Sequence, residues 1–99
     1  MRRVDETLDI PQSAGAGDAK LVETYVEKWV EVDGTFTGTC EVQGRLSPSS
    51  AWVTVNTATG GTPALIEVKP LFHDLRVDTT NVATGAPVAK LAALDARTS

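Results

Sequence analysis

Polar and apolar residues alternate with a period of two through the middle of the chain. Between residues 34 and 46, one set of alternate positions is apolar or glycine: Phe36, Gly38, Cys40, Val42, Gly44 and Leu46. Successive side chains of a strand point to opposite faces of a sheet, so this alternation predicts a strand with one buried and one solvated face. Asp33-Gly34 before it and Ser47-Pro48-Ser49-Ser50 after it are typical turn sequences.

The same alternation recurs at residues 51–56 and 71–78, and residues 65–69 are predicted to form a further short strand. Residues 57–63 and 81–87 are loop-like. About six to eight short strands, with a turn every eight to twelve residues, are typical of a β-sandwich or jelly roll. The pattern therefore predicts an all-β fold built as a single small β-sandwich. Abundant threonine and valine, which are β-branched, favour the same fold.

Two segments are compatible with either a helix or a strand. In residues 20–33 the apolar residues are spaced as on one face of a helix, yet four of them are valine. Two short strands joined by an irregularity near Glu27 would give a similar spacing, and we favour this interpretation. Residues 88–94 are rich in alanine and would be helical by propensity, or a closing strand if they pair with the sheet.

The N-terminal residues differ in composition from the rest. Residues 1–12 are largely charged, with a short alternating patch at residues 7–10, and residues 13–18 are mostly small. This composition is typical of a linker. We predict a flexible N-terminal arm and linker at residues 1–19, joined to a β-sandwich domain at residues 20–99. The arm is either a frayed terminus or a segment that adds a strand to a partner.

Length and charge narrow the class of protein. Ninety-nine residues are expected to form one domain, and the net charge of −4 disfavours binding to nucleic acid or to an anionic membrane. No apolar segment follows Arg2-Arg3, so we expect neither a signal peptide nor a membrane span. The single cysteine, Cys40, cannot form an intrachain disulfide and is expected to be a small buried hydrophobe.

Few residues suggest chemistry. His73 shares its phase with Leu71 and Leu75, and the adjacent Asp74 is expected to point to the opposite face, where it could not orient the imidazole ring. One cysteine and one histidine cannot supply a zinc site. We therefore expect no catalytic residues, no cofactor and no metal, and a protein that is not an enzyme.

Two tryptophans are the main candidates for binding. Trp52 is out of phase with Val53 and Val55, so it either faces the core or is exposed, and the same alternatives apply to Trp29. Trp is the largest single apolar contribution available, which favours the core position. An exposed tryptophan would fit a protein interface or a sugar-stacking platform.

Four short segments, in this order, carry a resemblance to a known family: Gly34-Thr35-Phe36, Val42-Gln43-Gly44, Ala51-Trp52-Val53 and Leu75-Arg76-Val77. Their order resembles that of small β-sandwich virion proteins of tailed bacteriophages, over residues 25–94. The chain departs from that pattern at Arg45, where serine is usual, and at residues 47–50, which replace an Asp-Gly turn. The resemblance implies a capsid decoration or cement protein that binds and stabilises the assembled shell.

The resemblance also implies partners and a location. The partners would be the major capsid protein and a second or third copy of the chain, and the location would be the capsid surface of a virion, after synthesis in a bacterial cytoplasm. The expected contact residues lie in the arm: Arg2, Arg3, Val4, Leu8, Ile10 and Pro11. The alternative function is a carbohydrate-binding, adhesin or other tail or fibre module that uses Trp52 or Trp29.

Overall fold

The computed structural model describes residues 1–96, which contain seven β-strands and no α-helix. The strands are β1 (Arg2–Leu8), β2 (Lys20–Leu21), β3 (Tyr25–Arg45), β4 (Val53–Thr59), β5 (Ala64–Glu67), β6 (Asp74–Asp78) and β7 (Val82–Asp95). Neighbouring strands pair antiparallel throughout. The predicted all-β fold is confirmed, and both ambiguous segments lie mainly in strands rather than in helices.

The longest strand, β3, is shared by two sheets. Its first part pairs with β7 along one edge and with β5 along the other, so sheet 1 has the order β1-β7-β3-β5. Its last part pairs with β4 along one edge and with β6 along the other, so sheet 2 has the order β4-β3-β6-β2. The chain thus forms one curled antiparallel sheet whose two halves enclose the core as in a β-sandwich.

The inner faces of the two sheets meet in one hydrophobic core. Sheet 1 contributes Leu8, Val30, Val32, Ala89 and Leu91, and sheet 2 contributes Cys40, Val42, Ala58, Leu75 and Val77. Their burial is the main source of stability, at about 25 cal/mol for each Å² of apolar surface removed from water. Burial raises the pKa of the Cys40 thiol, with a smaller effect from Glu41, so the thiol is neutral and packs as a small hydrophobe.

A bulge at the start of β3 explains the helix-like spacing of its sequence. Tyr25 pairs with Asp95 and Glu27 pairs with Leu94, so Val26 is the extra residue of a β-bulge. Beyond the bulge the buried side chains are at even-numbered positions, such as Val30 and Val32. Before the bulge the inward phase is reversed, and Tyr25 is therefore buried. The irregularity expected near Glu27 is confirmed.

Asp33-Gly34, which the sequence predicts to be a turn, lies within β3. Gly34 has φ +98° and Gly38 has φ +89°, values that L side chains rarely adopt. They precede the point where β3 passes from sheet 1 to sheet 2, and the strand bends there without ending. The predicted loops at residues 57–63 and 81–87 are also partly wrong, because β4 extends to Thr59 and β7 begins at Val82.

Part of the expected arm is an edge strand. Arg2–Leu8 pairs with β7 from Arg2↔Asp95 to Leu8↔Ala89, and Leu8 is only 2% exposed. The linker is also tied to the domain, because the Gly17 amide donates to the Val77 carbonyl at 2.8 Å. The structure therefore corrects the expectation of a flexible arm, because Arg2–Leu8 forms a strand with β7 of the same chain.

Gly38→Ala tests the bend in β3. A Cβ atom at position 38 would lie 2.3 Å from the Asn81 carbonyl oxygen, whereas one at Gly61, with a similar φ of +85°, would contact nothing within 4 Å. Both substitutions should cost about 1 kcal/mol through strained φ, and Gly38→Ala a further 1–3 kcal/mol, roughly, through the clash. Urea unfolding of the two variants measures the difference, and equal losses would contradict this account.

Candidate interaction surfaces

Trp52 lies against two arginines on the outer face of sheet 2. Its ring centroid is 4.5 Å from Cζ of Arg45 and 4.2 Å from Cζ of Arg76. The pairing of β3 with β6 sets Arg45 opposite Asp74 and Arg76 opposite Gln43, which brings both guanidinium groups under one ring. Trp52 is half-buried, so it covers charged groups on the surface and is not part of the core cluster.

Asp74 connects this cluster to His73. Nε of Arg45 donates to Oδ2 of Asp74 at 2.7 Å, and Nδ1 of His73 contacts the other carboxylate oxygen. Nε2 of His73 lies 3.6 Å from a carboxylate oxygen of Glu23. The expectation that Asp74 points away from the imidazole is wrong, because His73 precedes β6 and the alternation of a strand does not apply to it.

The charge of Asp74 is fixed by two opposing effects. Burial of the carboxyl raises its pKa, but the hydrogen bonds and positive charge of Arg45 and His73 outweigh burial, and the pKa lies below its usual value. Asp74 is therefore ionised at neutral pH and bonds the connection before β6 to the end of β3. Within residues 1–96 the imidazole nitrogens of His73 contact carboxylates, so Arg45, Asp74, His73 and Glu23 form an ion-pair network.

The outer face of sheet 1 carries a tryptophan among apolar and charged side chains. Trp29 and Leu65 lie on neighbouring strands, and Ala92 and Leu94 on β7 extend the apolar area. Leu65 is 68% exposed. A depression of about 400 Å³ crosses this face from β1 to β5 and is also lined by Arg3, Asp5, Glu31 and Lys90. We call this surface the Trp29 face.

The structure separates the six expected contact residues. Leu8 belongs to the core and is not available as a contact in the folded domain, which corrects that expectation. Val4 and Ile10 are half-buried and pack against the core, and Pro11 lies beside the start of β7. Arg2 and Arg3 are exposed on β1. The exposed members of the set therefore lie at the edge of sheet 1.

Sequence reasoning missed a buried lysine. Lys28 is 1% exposed and its Nζ donates to the Tyr25 carbonyl oxygen at 3.3 Å. Burial lowers the pKa of its ammonium group. Its phase, shared with Val30 and Val32, was the signal that could have identified it, since that set faces inward.

Two other kinds of site can be assessed for residues 1–96. In that range no group of three or more His, Cys, Asp or Glu side chains is arranged to hold a metal ion. No helix in the same range is long and apolar enough to cross a membrane.

Among solved structures, the fold is similar to that of SPBc2 prophage-derived protein YomS. The TM-score is 0.73, and the match covers 93% of this chain and 92% of the YomS chain. The two sequences are 11% identical over the match, so the likeness shows a common fold. No protein-family model and no curated protein matches the sequence.

Asp74→Asn should lower the free energy of unfolding at about pH 7 by roughly 1–3 kcal/mol, because it leaves the guanidinium group of Arg45 without its carboxylate partner. The folded-state pKa of Asp74 is depressed, so its stabilisation is present above the unfolded pKa of about 3.9 and is lost as the pH falls through the folded pKa. The difference between wild type and variant should therefore shrink in acid. Urea unfolding of wild type and variant at neutral and at acid pH measures this difference.

Glu31→Gln is the matched control, because Glu31 is exposed on sheet 1 and forms no ion pair with another described residue. It should change stability little at either pH. A loss for Asp74→Asn that is equally large in acid and at neutral pH would show that the carboxylate charge is not what stabilises this contact.

Proposed function

We propose that this chain is a bacteriophage structural protein, and more narrowly a capsid decoration or cement protein that binds the outside of the assembled shell. The observation that carries the proposal is the fold shared with a prophage-derived protein over nearly the whole length of both chains. It supports a phage origin. The narrower role is supported by the sequence resemblance to small virion proteins.

Several of the residues that carry that resemblance lie at positions that shape the fold. Phe36 is buried beside the bend of β3, and Leu75 and Val77 are fully buried in sheet 2. Gly44 lies under the Phe72 ring, where a Cβ atom would come within 2.5 Å of the ring carbons. Proteins that share a β-sandwich fold would be expected to resemble each other at such positions. The sequence resemblance and the fold similarity therefore both support a phage protein.

The Trp29 face is the surface that best fits a protein partner. It combines the exposed Leu65 and half-buried apolar side chains with a charged rim, which is the usual arrangement of an interface. A protein that binds only the assembled lattice stabilises it by mass action, and each contact can be weak because many copies act together. In this proposal, the Trp29 face binds the major capsid protein.

Particle composition tests the role first. Virions made from the genome that encodes this chain should contain it in many copies, and it should remain with heads after tails are removed. Quantitative mass spectrometry of purified heads and tails measures both. Absence from particles, or fractionation with tails alone, would overturn the decoration role.

Binding to expanded empty shells then tests the surface. Leu65→Glu places a charge on the Trp29 face and should weaken binding about tenfold or more, equivalent to about 1.4 kcal/mol. Leu71→Glu is the matched control, because Leu71 is 76% exposed and does not line this face. Co-sedimentation with shells measures both variants. Equal binding by the two would exclude the Trp29 face.

A carbohydrate-binding module is the second candidate, because Trp29 lies in a depression with charged walls. Trp52 is less suited to stacking on a sugar, since two guanidinium groups already lie against its ring. If decoration is the function, a glycan panel should produce no saturable change in tryptophan fluorescence. A saturable change that persists in Trp52→Phe and is lost in Trp29→Phe would favour the adhesin function instead.

A further inference from the structure

β1 is an edge strand with an order of charges that suits a second copy of itself. Within residues 1–96, β1 pairs only with β7, so its other edge is not used by a described strand. Unpaired amides and carbonyls along such an edge are a template for another strand. The first five residues of β1 are Arg2-Arg3-Val4-Asp5-Glu6, with two cations before the valine and two anions after it.

We propose that two copies of this chain pair antiparallel through β1, about a two-fold axis at Val4. In that register Arg2 lies opposite Glu6 of the second copy and Arg3 lies opposite Asp5, while the two Val4 side chains meet at the axis. Every charged residue of Arg2–Glu6 then faces one of opposite sign. Opposite-charge pairs across neighbouring strands stabilise a sheet, and like charges destabilise it.

The neighbouring registers are less favourable. Directly opposite residues share a face of the sheet, so a symmetric pairing that keeps the two inner faces on one side must be centred on a residue. Centring on Arg3 sets Arg3 against its own copy, and centring on Asp5 does the same for Asp5. Of the three registers, only the one centred on Val4 places opposite charges across from each other.

The side chains of β1 are already placed for this pairing. Arg3 and Asp5 are 70% and 67% exposed, and Nη2 of Arg3 lies 3.0 Å from Oδ1 of Asp5 on the outer face. Two copies would combine these pairs into a ring of four alternating charges. Val4 is half-buried against the core, so the Val4 contact would extend the apolar inner face across the axis. Glu6 is partly engaged with Tyr25 and Lys20, which makes its pair with Arg2 secondary.

The dimer should be weak by itself. Pairing of one short strand buries less than the roughly 1,200 Å² typical of stable complexes, and exposed ion pairs are screened by salt. Dimerisation should therefore depend on concentration and ionic strength. It would join two copies of sheet 1 into one continuous sheet with both Trp29 faces on the same side. The pairing rests on β1 alone and does not depend on the proposed function.

A charge exchange between two variants tests the ion pairs. In Arg3→Glu or Asp5→Arg alone, positions 3 and 5 of the two copies carry like charges, and the dissociation constant should rise about tenfold or more. In an equimolar mixture, each position 3 again faces an opposite charge at position 5, and dimerisation should recover. Sedimentation equilibrium from micromolar to millimolar protein, at low and high salt, measures this. Lys69→Glu and Asp33→Arg are controls with the same charge changes at exposed residues outside β1 and outside the Trp29 face.

A monomeric wild type at every concentration, or dimers that are equally stable in all variants, would overturn the proposal. A disulfide cross-link tests the register separately. Val4→Cys places two thiols at the axis, with Cβ atoms about 4.5–5.5 Å apart, close to disulfide geometry. Thr7→Cys is the control, since its two copies would lie about 20 Å apart. Cys40 is 1% exposed and does not compete. Equal cross-linking of the two variants under mild oxidation would overturn the Val4-centred register.

Discussion

The backbone hydrogen bonds along β3 hold both sheets together. Each of the other described strands pairs with β3 or with a strand that pairs with it: β1 reaches it through β7, and β2 reaches it through β6. Both edges of β3 are paired at residues 29–32 in sheet 1 and at residues 41–44 in sheet 2, and its inward side chains lie in the core of both sheets. The fold therefore requires the bend at Gly34 and Gly38, because a straight strand could not belong to both sheet 1 and sheet 2 while the two sheets face each other.

The sequence was informative wherever one strand face is buried. Phe36, Cys40 and Val42 form the inward set that the alternation identified, and the same reasoning placed β4, β5 and β6 to within a few residues. Asp33-Gly34 was misassigned because a hairpin turn and a bend inside a strand require the same residue, a glycine at positive φ. Only long-range pairing, here of Gly34 with Pro87, distinguishes the two.

The surfaces were harder to predict than the fold. The cluster of Arg45, Trp52 and Arg76 depends on the register between β3 and β6, which no local pattern records. The N-terminal segment was misjudged for a different reason. Its small residues bond through their backbone, as Gly17 does to Val77, and composition reports side chains only.

Charged residues on an edge strand usually protect it, since an arriving strand would have to bury or oppose them. That protection depends on the order of the charges as well as on their number. The order in β1 repels a strand that matches cation with cation, but it is complementary to its own reverse, which is what an antiparallel second copy presents. The same five residues can therefore exclude most other strands and still select one partner, with the outer face of sheet 1 left free for a different contact.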